Sequence, residues 1–314
     1  VPLVLVLVVG REASGSRLDR FLATQTSWSR SELQRWISDG RVAVDGVVRV
    51  ASVKVSEGAR VEVTPDEPAR TEARAEEGIA FDILFVDEDL VVVNKPAGLV
   101  VHPARGHESG TLVNGLLARG LFDSLDPSDD DAHVRPGIVH RLDKGTSGVM
   151  VVARNGKSRE RLKTQFQDHS IAREYVAIVV GEVVTQTFAS LHGRHPKERL
   201  KFTSRVVGGK RAVTHVEVSE RLGGATLLVC RLETGRTHQI RMHLAENGTP
   251  VLGDPLYGRP PRDVSIREIA DELGHQALHA RLLGFIHPRT GKRVSFAAPP
   301  PEQFTHALQR LRGA

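Results

Sequence analysis

His140-Arg141-Leu142-Asp143-Lys144-Gly145-Thr146-Ser147-Gly148-Val149-Met150-Val151-Val152-Ala153 opens as a charged, glycine-rich turn and closes as an unbroken apolar run. The run reads as a buried strand, and the glycines before it read as the turn that feeds it. One carboxylate, Asp143, stands between two cations, Arg141 and Lys144. Neighbouring positive charge favours the ionised form of an acid. Such a group suits a nucleophile or an electrostatic catalyst better than a general acid. Local charge alone fits a salt-bridged aspartate at a strand end equally well.

Outward from this stretch, similar runs recur. Phe81–Val86 and Leu90–Asn94 read as strands around the turn Asp87-Glu88-Asp89, and further strands are expected over Gly148–Ala153, Ala172–Val180, Ala212–Val218 and Ala225–Arg231. Helices are expected at Thr111–Leu117 and at Arg159–Gln167, where Leu162 and Phe166 stand one turn apart. Strands outnumber helices and do not alternate with them. The fold class is therefore α+β, with a mixed, mostly antiparallel sheet. Phe122–Arg135, with its acidic run, and Gly258–Gln276, with Pro260-Pro261, read as surface loops.

The first part of the chain has a different texture. Leu18, Phe21 and Leu22 fall at helical spacing, and Ser29 with Glu32 forms a capping box ahead of Leu33, Trp36 and Ile37. Gly40 supplies a stop, Asp45-Gly46 is a two-residue hairpin turn, and Val53, Val55, Val61 and Val63 continue a β pattern. Pro65–Gly78 is rich in Pro, Ala and Glu and reads as a linker. These signals divide the chain into an N-terminal extension or strand (1–15), a small module (16–64), a linker (65–78) and a large domain (79–314).

A chain of 314 residues with 40% hydrophobic and 26% charged content can bury a sizeable core. Aromatics make up 4%, too few for a long series of base-stacking platforms. A single cysteine, Cys230, excludes an intrachain disulfide framework and a cysteine-based zinc site, and points to the cytoplasm. The apolar start Val1–Val9 is too short to span a bilayer and lacks the flanks of a signal peptide, so no membrane association is expected. Net charge is +5, unevenly spread: Val134–Tyr175 holds nine Lys/Arg against four Asp/Glu, and Arg194–Arg211 seven against one. Such clustering favours a polyanion partner over a generally solvated surface.

Four segments carry chemistry: Asn94–Pro103, the Asp143 turn, Arg173-Glu174-Tyr175, and Gly235–Leu244. In the last, Thr237 is placed to cap a helix that Asn247-Gly248 ends. Ile240 and Leu244 share one face, and Arg241 lies beside it. A partly buried arginine needs a carboxylate, and Asp143 is the natural candidate. His102, His140, His238 and His243 invite a metal reading, but His238 and His243 are five apart and no carboxylate cluster completes a site. Lys95-Pro96-Ala97-Gly98 lacks the spaced glycines of a phosphate loop.

His140–Gly148, Arg173-Glu174-Tyr175, Gly235–His243 and Gly253–Gly258 together resemble the RluA/RluD family of RNA pseudouridine synthases, nearest the RluD branch. The likeness runs from about Arg17 to Pro299. Residues 16–64 resemble the S-four (alpha-L) RNA-binding domain, in which Arg30, Arg35 and Arg41 match the positions that face structured RNA. The resemblance implies an isomerase that breaks the N1–C1′ bond of uridine, rotates the uracil and joins C5 to C1′, with no cofactor or metal. It implies that Asp143 is the indispensable aspartate, that Arg241 pairs with it, and that Tyr175 and Leu278 enclose the uracil. Arg141 then fills the space left by the flipped nucleotide, and Lys144 contacts RNA. The implied partner is large-subunit (23S) ribosomal RNA or a pre-ribosomal particle, acted on by a monomer. Gly145 departs from the family pattern, where an acidic or amide residue is common, and the acidic insertion Asp129–Asp131 is expected to face away from RNA. The competing readings are a non-catalytic RNA-binding or ribosome-assembly factor and a metal-dependent hydrolase.

Overall fold

The structure, a computed structural model, describes residues 4–26, 28, 30–65, 73–103, 107–122 and 135–313. The side chains of 30–32 fall outside that description, so the Ser29–Glu32 capping box and the side chain of Arg30 lie beyond it, as does the run Asp129–Asp131. The chain forms two compact units, Val1–Arg70 and Thr71–Ala314.

In the first unit, β1 (Leu5–Val8) is followed by α1 (Leu18–Gln25), α2 (Arg30–Ser38), the hairpin β2 (Val42–Val44) and β3 (Val47–Val48), and β4 (Arg60–Val63). The strand order is β1-β4-β2-β3. The apolar start thus has a structural use: Leu5–Val8 pairs antiparallel with Val63–Arg60. Asp45 (φ 50°) and Gly46 (φ 75°) both take the left-handed conformation that a tight two-residue hairpin requires. Leu18, Phe21, Leu22, Leu33, Trp36 and Ile37 from the helices close on Val42, Val61 and Val63 from the sheet.

The second unit is built on a sheet that has ten strands among the described residues. They are β5 (Asp82–Val86), β6 (Leu90–Lys95), β7 (Ser147–Ala153), β8 (Ala172–Val180), β9 (Gln186–Arg194), β10 (Phe202–Thr203), β11 (Lys210–Arg221), β12 (Ala225–Leu232), β13 (Leu278–Ile286) and β14 (Arg293–Ala297). The order is β10-β9-β11-β12-β8-β13-β7-β6-β5, with β14 on β13. Every pairing is antiparallel except β13 with β7. Around it lie α3 (Leu112–Ala118), α4 (Gly156–Gln167), α5 (Gln239–Glu246), α6 (Val264–Leu273) and α7 (Glu302–Arg312).

The absence of alternation in β7 has a simple cause: the sheet is covered on both faces there. Met150 and Val152 pack with Leu112 and Leu116 of α3. Val149, Val151 and Ala153 pack with Leu162 of α4 and with Leu283 and Phe285 of β13. A third cluster joins Ile178 and Leu228 to Leu244, Ile266, Ile269, Phe304 and Leu311 of α5, α6 and α7. Among the described residues no helix is long and apolar enough to cross a membrane.

Two local expectations need correction. Gly258–Gln276 is not a plain loop, since it contains α6. Asp263 caps that helix through Ser265 and Ile266, and Gly274 ends it at φ 68°. The double proline drew the reading toward a loop, although Ile266, Ile269, Ala270 and Leu273 mark out a buried stripe. Nor does Thr237 cap α5: the capping position is His238, in a left-handed conformation with no side-chain cap bond. Of the stretch read as a linker, 66–72 lies outside the described residues. Its distal end is fastened to α3, with Asn114 Nδ2 donating to the Arg74 carbonyl at 2.7 Å and Gly110 N–H to Glu76 at 2.7 Å.

Candidate active site

The turn before β7 is a short hydrogen-bonded loop in which Thr146 N–H donates to the Asp143 carbonyl at 3.0 Å. Gly148, at its exit, has φ 119°, and a Cβ there would stand 2.2 Å from the Ala280 carbonyl oxygen. Only glycine allows β7 and β13 to approach so closely at their parallel junction. Gly145 is constrained differently. A Cβ on it would lie 2.3 Å from Oε1 of the buried Gln276, whose amide donates to Thr146 Oγ1 at 3.1 Å. The space that a larger residue at 145 would claim is therefore filled by the Gln276 amide.

Sequence reasoning assigned no role to Lys95, yet it braces this turn. It is fully buried, and its Nζ donates to the carbonyls of Pro96 (2.8 Å), Leu99 (2.8 Å) and Lys144 (3.2 Å). Gly98 N–H donates to the same Lys144 carbonyl at 2.8 Å. Burial pushes the Lys95 amine down to about 7, against a partial upward pull from Asp143. The only advance signal was a lysine at the end of an apolar strand, where a buried cation needs several acceptors.

Arg241 projects from α5 and is 4% exposed. Its Nη1 donates to Asp143 Oδ2 at 2.8 Å. The rest of the guanidinium fork is held by a second carboxylate, with Nε to Asp254 Oδ2 at 2.7 Å and Nη2 to Asp254 Oδ1 at 2.8 Å. Asp254 also accepts from the Leu256 (2.9 Å) and Tyr257 (3.0 Å) amides. Burial raises the Asp254 carboxyl, but the bonds and charge of Arg241 and the two amides outweigh this and hold it below the ordinary range. For Arg241, burial lowers the guanidinium while Asp254 and Asp143 raise it, with a net upward result.

A cavity of about 150 Å³ lies over this pair, lined among others by Arg141, Asp143, Tyr175, Arg236, His238, Arg241 and Leu278. Asp143 is the one carboxylate among the described residues lining it. A wider cleft of about 660 Å³ shares Arg141, Asp143, His238 and Arg241 and continues to Lys144, His275 and Gln276. Ala177 pairs with Leu278 and Tyr175 with Ala280 across β8 and β13. Tyr175 and Leu278 are thus diagonal neighbours on one sheet face, able to make a common wall. Burial pushes the Tyr175 phenol up to about 12, with Arg173 pulling down and Asp143 up. It is a neutral, largely apolar surface at neutral pH.

The structure brings Asp143, Tyr175, Arg241, Arg141 and Leu278 to one cavity, with Lys144 exposed in the adjoining cleft. Arg35 on α2 and Arg41 before β2 belong to the other unit, as does the backbone of Arg30. The histidines are dispersed. His140 Nε2 accepts from Val151 N–H at 3.1 Å and its ring stacks on Phe166, with burial pushing it down to about 3. His243 lies between the hydroxyls of Ser190 and Thr214, pushed down to about 4 by burial. His102 contacts the Pro103 carbonyl. Asp87, Asp89 and His287 bring potential ligand atoms within 4.8 Å of one another, but Arg289 Nε sits 2.6 Å from Asp89 and supplies the positive charge there. None of the three lines the cavity.

Comparison with known proteins finds relatives over nearly the whole chain. Residues 89–246 match the family described as RNA pseudouridylate synthase, and residues 16–61 match the S4 domain. An uncharacterised RNA pseudouridine synthase of Bacillus subtilis is 44% identical over 98% of this chain and 97% of its own length. The ribosomal large subunit pseudouridine synthase D of Pseudomonas aeruginosa is 42% identical, covering 96% of this chain and 93% of that one. The solved structure of human RNA pseudouridylate synthase domain containing 4 superposes with a TM-score of 0.54 at 26% identity, over 73% of this chain and 92% of that one. An S4 domain followed by a mixed, mostly antiparallel sheet bearing the cavity at Asp143 thus has its relatives among enzymes of one kind, and the chain belongs to the RNA pseudouridylate synthase family.

Proposed function

We propose that this enzyme isomerises specific uridines of large-subunit ribosomal RNA to pseudouridine, with Asp143 as the essential carboxylate. The observation that carries the reading is the setting of Asp143: the one carboxylate among the described residues that line the cavity, its Oδ2 pinned by a buried arginine. The ring of Tyr175 and the side chain of Leu278 enclose the flat uracil. Once the nucleotide has left its stack, Arg141 occupies the vacated space. The Asp143 carboxylate then acts on the ribose as the N1–C1′ bond breaks. Uracil turns within the slot, C5 bonds to C1′, and the proton lost from C5 is matched by one gained at N1, which the broken N1–C1′ bond has left free. Product and substrate are isomers, so the balance needs no cofactor.

In this reading the module at 16–64 grips RNA through Arg30, Arg35 and Arg41, while Lys144 in the domain at 79–314 contacts the strand near the site. The name of the Pseudomonas relative favours large-subunit RNA, which this enzyme takes free or in a pre-ribosomal particle. We place the enzyme in the cytoplasm as a monomer. The test is release of tritium from C5-tritiated uridine in ribosomal RNA without added cofactor. Asp143→Asn abolishes release while RNA binding persists, and full activity in that variant would overturn the assignment. Mapping pseudouridine in cells lacking the gene identifies the uridines: an assembly defect with every site still modified would favour a non-catalytic factor instead.

A further inference from the structure

Arg241 secures only one oxygen of Asp143. The other, Oδ1, faces His238, whose Nε2 is 3.8 Å away. That separation is longer than a hydrogen bond, but bonds within catalytic groups commonly tighten only when substrate is bound.

His238 is held in place with unusual care. Its backbone is left-handed, at φ 57° and ψ 19°. Histidine tolerates this region better than most side chains, but it is still uncommon outside glycine. Both flanks are fastened. The Thr237 carbonyl accepts from His192 Nε2 at 2.9 Å. The Gln239 amide accepts from Thr234 Oγ1 and Arg236 N–H, and donates to the Val213 carbonyl and Thr214 Oγ1. The imidazole meets the rings of Phe202 and Tyr257 edge-on.

Its other nitrogen is also engaged. Tyr257 Oη accepts from Phe202 N–H at 2.7 Å. The hydroxyl hydrogen of Tyr257 has two acceptors in reach: His238 Nδ1 at 3.2 Å and the Phe202 carbonyl at 3.5 Å. The shorter places it on Nδ1, so the imidazole hydrogen is assigned to Nε2, the nitrogen that faces Asp143. Burial holds the imidazole below its ordinary value, and Arg241 and Arg141 act the same way against Asp143 and Asp254, so the ring is neutral at neutral pH.

We propose that His238 is a positioning residue for the reaction: braced by Tyr257, it presents the Nε2 hydrogen to Oδ1 of Asp143, the oxygen that Arg241 leaves free. Two donors, one within α5 and one at its capping position, then fix both oxygens of the carboxylate, which sets its direction toward the ribose. The inference rests on the reading of Asp143 as the reacting carboxylate.

Single-turnover tritium release from C5-tritiated ribosomal RNA, run alongside RNA-binding measurements, tests it in the full-length protein. Glycine suits φ 57°, so His238→Gly removes the ring without straining the backbone. The expected result is a rate constant roughly 10- to 100-fold lower, the scale of a misaimed catalytic group, with RNA affinity within about twofold of the parent. Added imidazole restores part of that rate, a rescue that a purely structural residue would not give. His238→Asn, which keeps a donor and tolerates the left-handed region, falls between the parent and the glycine variant and serves if the latter fails to fold. Tyr257→Phe, which frees Nδ1, lowers the rate by a smaller factor. Parental rates in His238→Gly or His238→Asn, with Asp143→Asn inactive, would overturn the inference alone. Activity in Asp143→Asn would instead overturn the reading beneath it.

Discussion

Asp254→Asn probes the arrangement around Arg241 most directly. The substitution keeps the shape of the side chain but removes its charge and one of the two oxygens that hold the guanidinium fork at 2.7 and 2.8 Å. Arg241 stays buried with Asp143 as its remaining carboxylate. Removing one partner of a buried ion pair costs roughly 3–5 kcal/mol. The amide oxygen of asparagine still accepts one hydrogen bond, which puts the expected loss near the lower end, about 3 kcal/mol. For a unit of this size that lowers the melting temperature by roughly 6–12 °C, at about 2–4 °C per kcal/mol. Freed from its fork, Arg241 also aims Asp143 less well, and the single-turnover rate falls by up to about 100-fold. Thermal unfolding followed by circular dichroism, with tritium release on the same preparations, measures both. A melting temperature within about 2 °C of the parent together with a parental rate would refute the argument, because Arg241 would then owe its position to something other than Asp254. The acid side supplies a second check. A carboxyl depressed in the folded state contributes stability above its unfolded pKa of about 3.9 and loses it as pH falls through the folded value. Asp254→Asn therefore flattens the loss of stability below about pH 4.

Other substitutions test separate parts of the account. Gly148→Ala drives a methyl group to 2.2 Å from the Ala280 carbonyl at a φ that alanine rarely adopts, so urea unfolding is expected to show a loss of about 3 kcal/mol or more; a change under about 0.5 kcal/mol would mean that the β7–β13 junction tolerates a side chain. Lys95→Met removes the ammonium that bonds the Pro96, Leu99 and Lys144 carbonyls, leaving Lys144 with the Gly98 N–H, and the tritium-release rate falls with the loosened turn; a parental rate would argue against the brace. Because Lys95 is pushed down to about 7 against about 10.4 unfolded, the unfolded chain binds more protons between those values and this group makes stability rise with pH across that window. Urea titrations of Lys95→Met at several pH values are expected to lack that rise. Arg35→Ala and Arg41→Ala each weaken RNA binding and reduce the slope of log affinity against log salt by about 1 if each arginine neutralises a phosphate; unchanged slopes would remove those residues from the interface.

Much of the fold was legible because its signals are local. Runs such as Leu90–Val93 and Val149–Ala153 are apolar at every position since the sheet is covered on both faces there. Thr111 caps α3 with Asn114, and Asp45-Gly46 turns a hairpin, each within a few residues of sequence. The helix α6 was also written locally, in Asp263, Ile266, Ile269 and Gly274, but Pro260-Pro261 outweighed it in the reading. The edge strand β1 remained ambiguous because Leu5–Val8 gains its meaning only from Arg60–Val63, more than fifty residues on.

The candidate site divides along the same line. Local sequence drew attention to Asp143 and offered Arg241 as its partner, because a carboxylate between cations and an arginine beside an apolar helical face are features of neighbouring residues, whereas the role of Tyr175 came only from the family resemblance. Three things depend on where the chain returns to itself. Asp254 completes the fork of Arg241 only because the turn after α5 folds back on it. Lys95 meets the Lys144 carbonyl only because β6 lies beside β7. Leu278 stands diagonal to Tyr175 only in the register that β8 and β13 adopt. The sequence by itself determined the chemical groups and the strands and helices that carry them, since periodicity, turns and caps act over a few residues. Which carboxylate holds which oxygen, and which side chains enclose one cavity, was decided by long-range pairing, where a shift of one residue would turn each side chain to the opposite face.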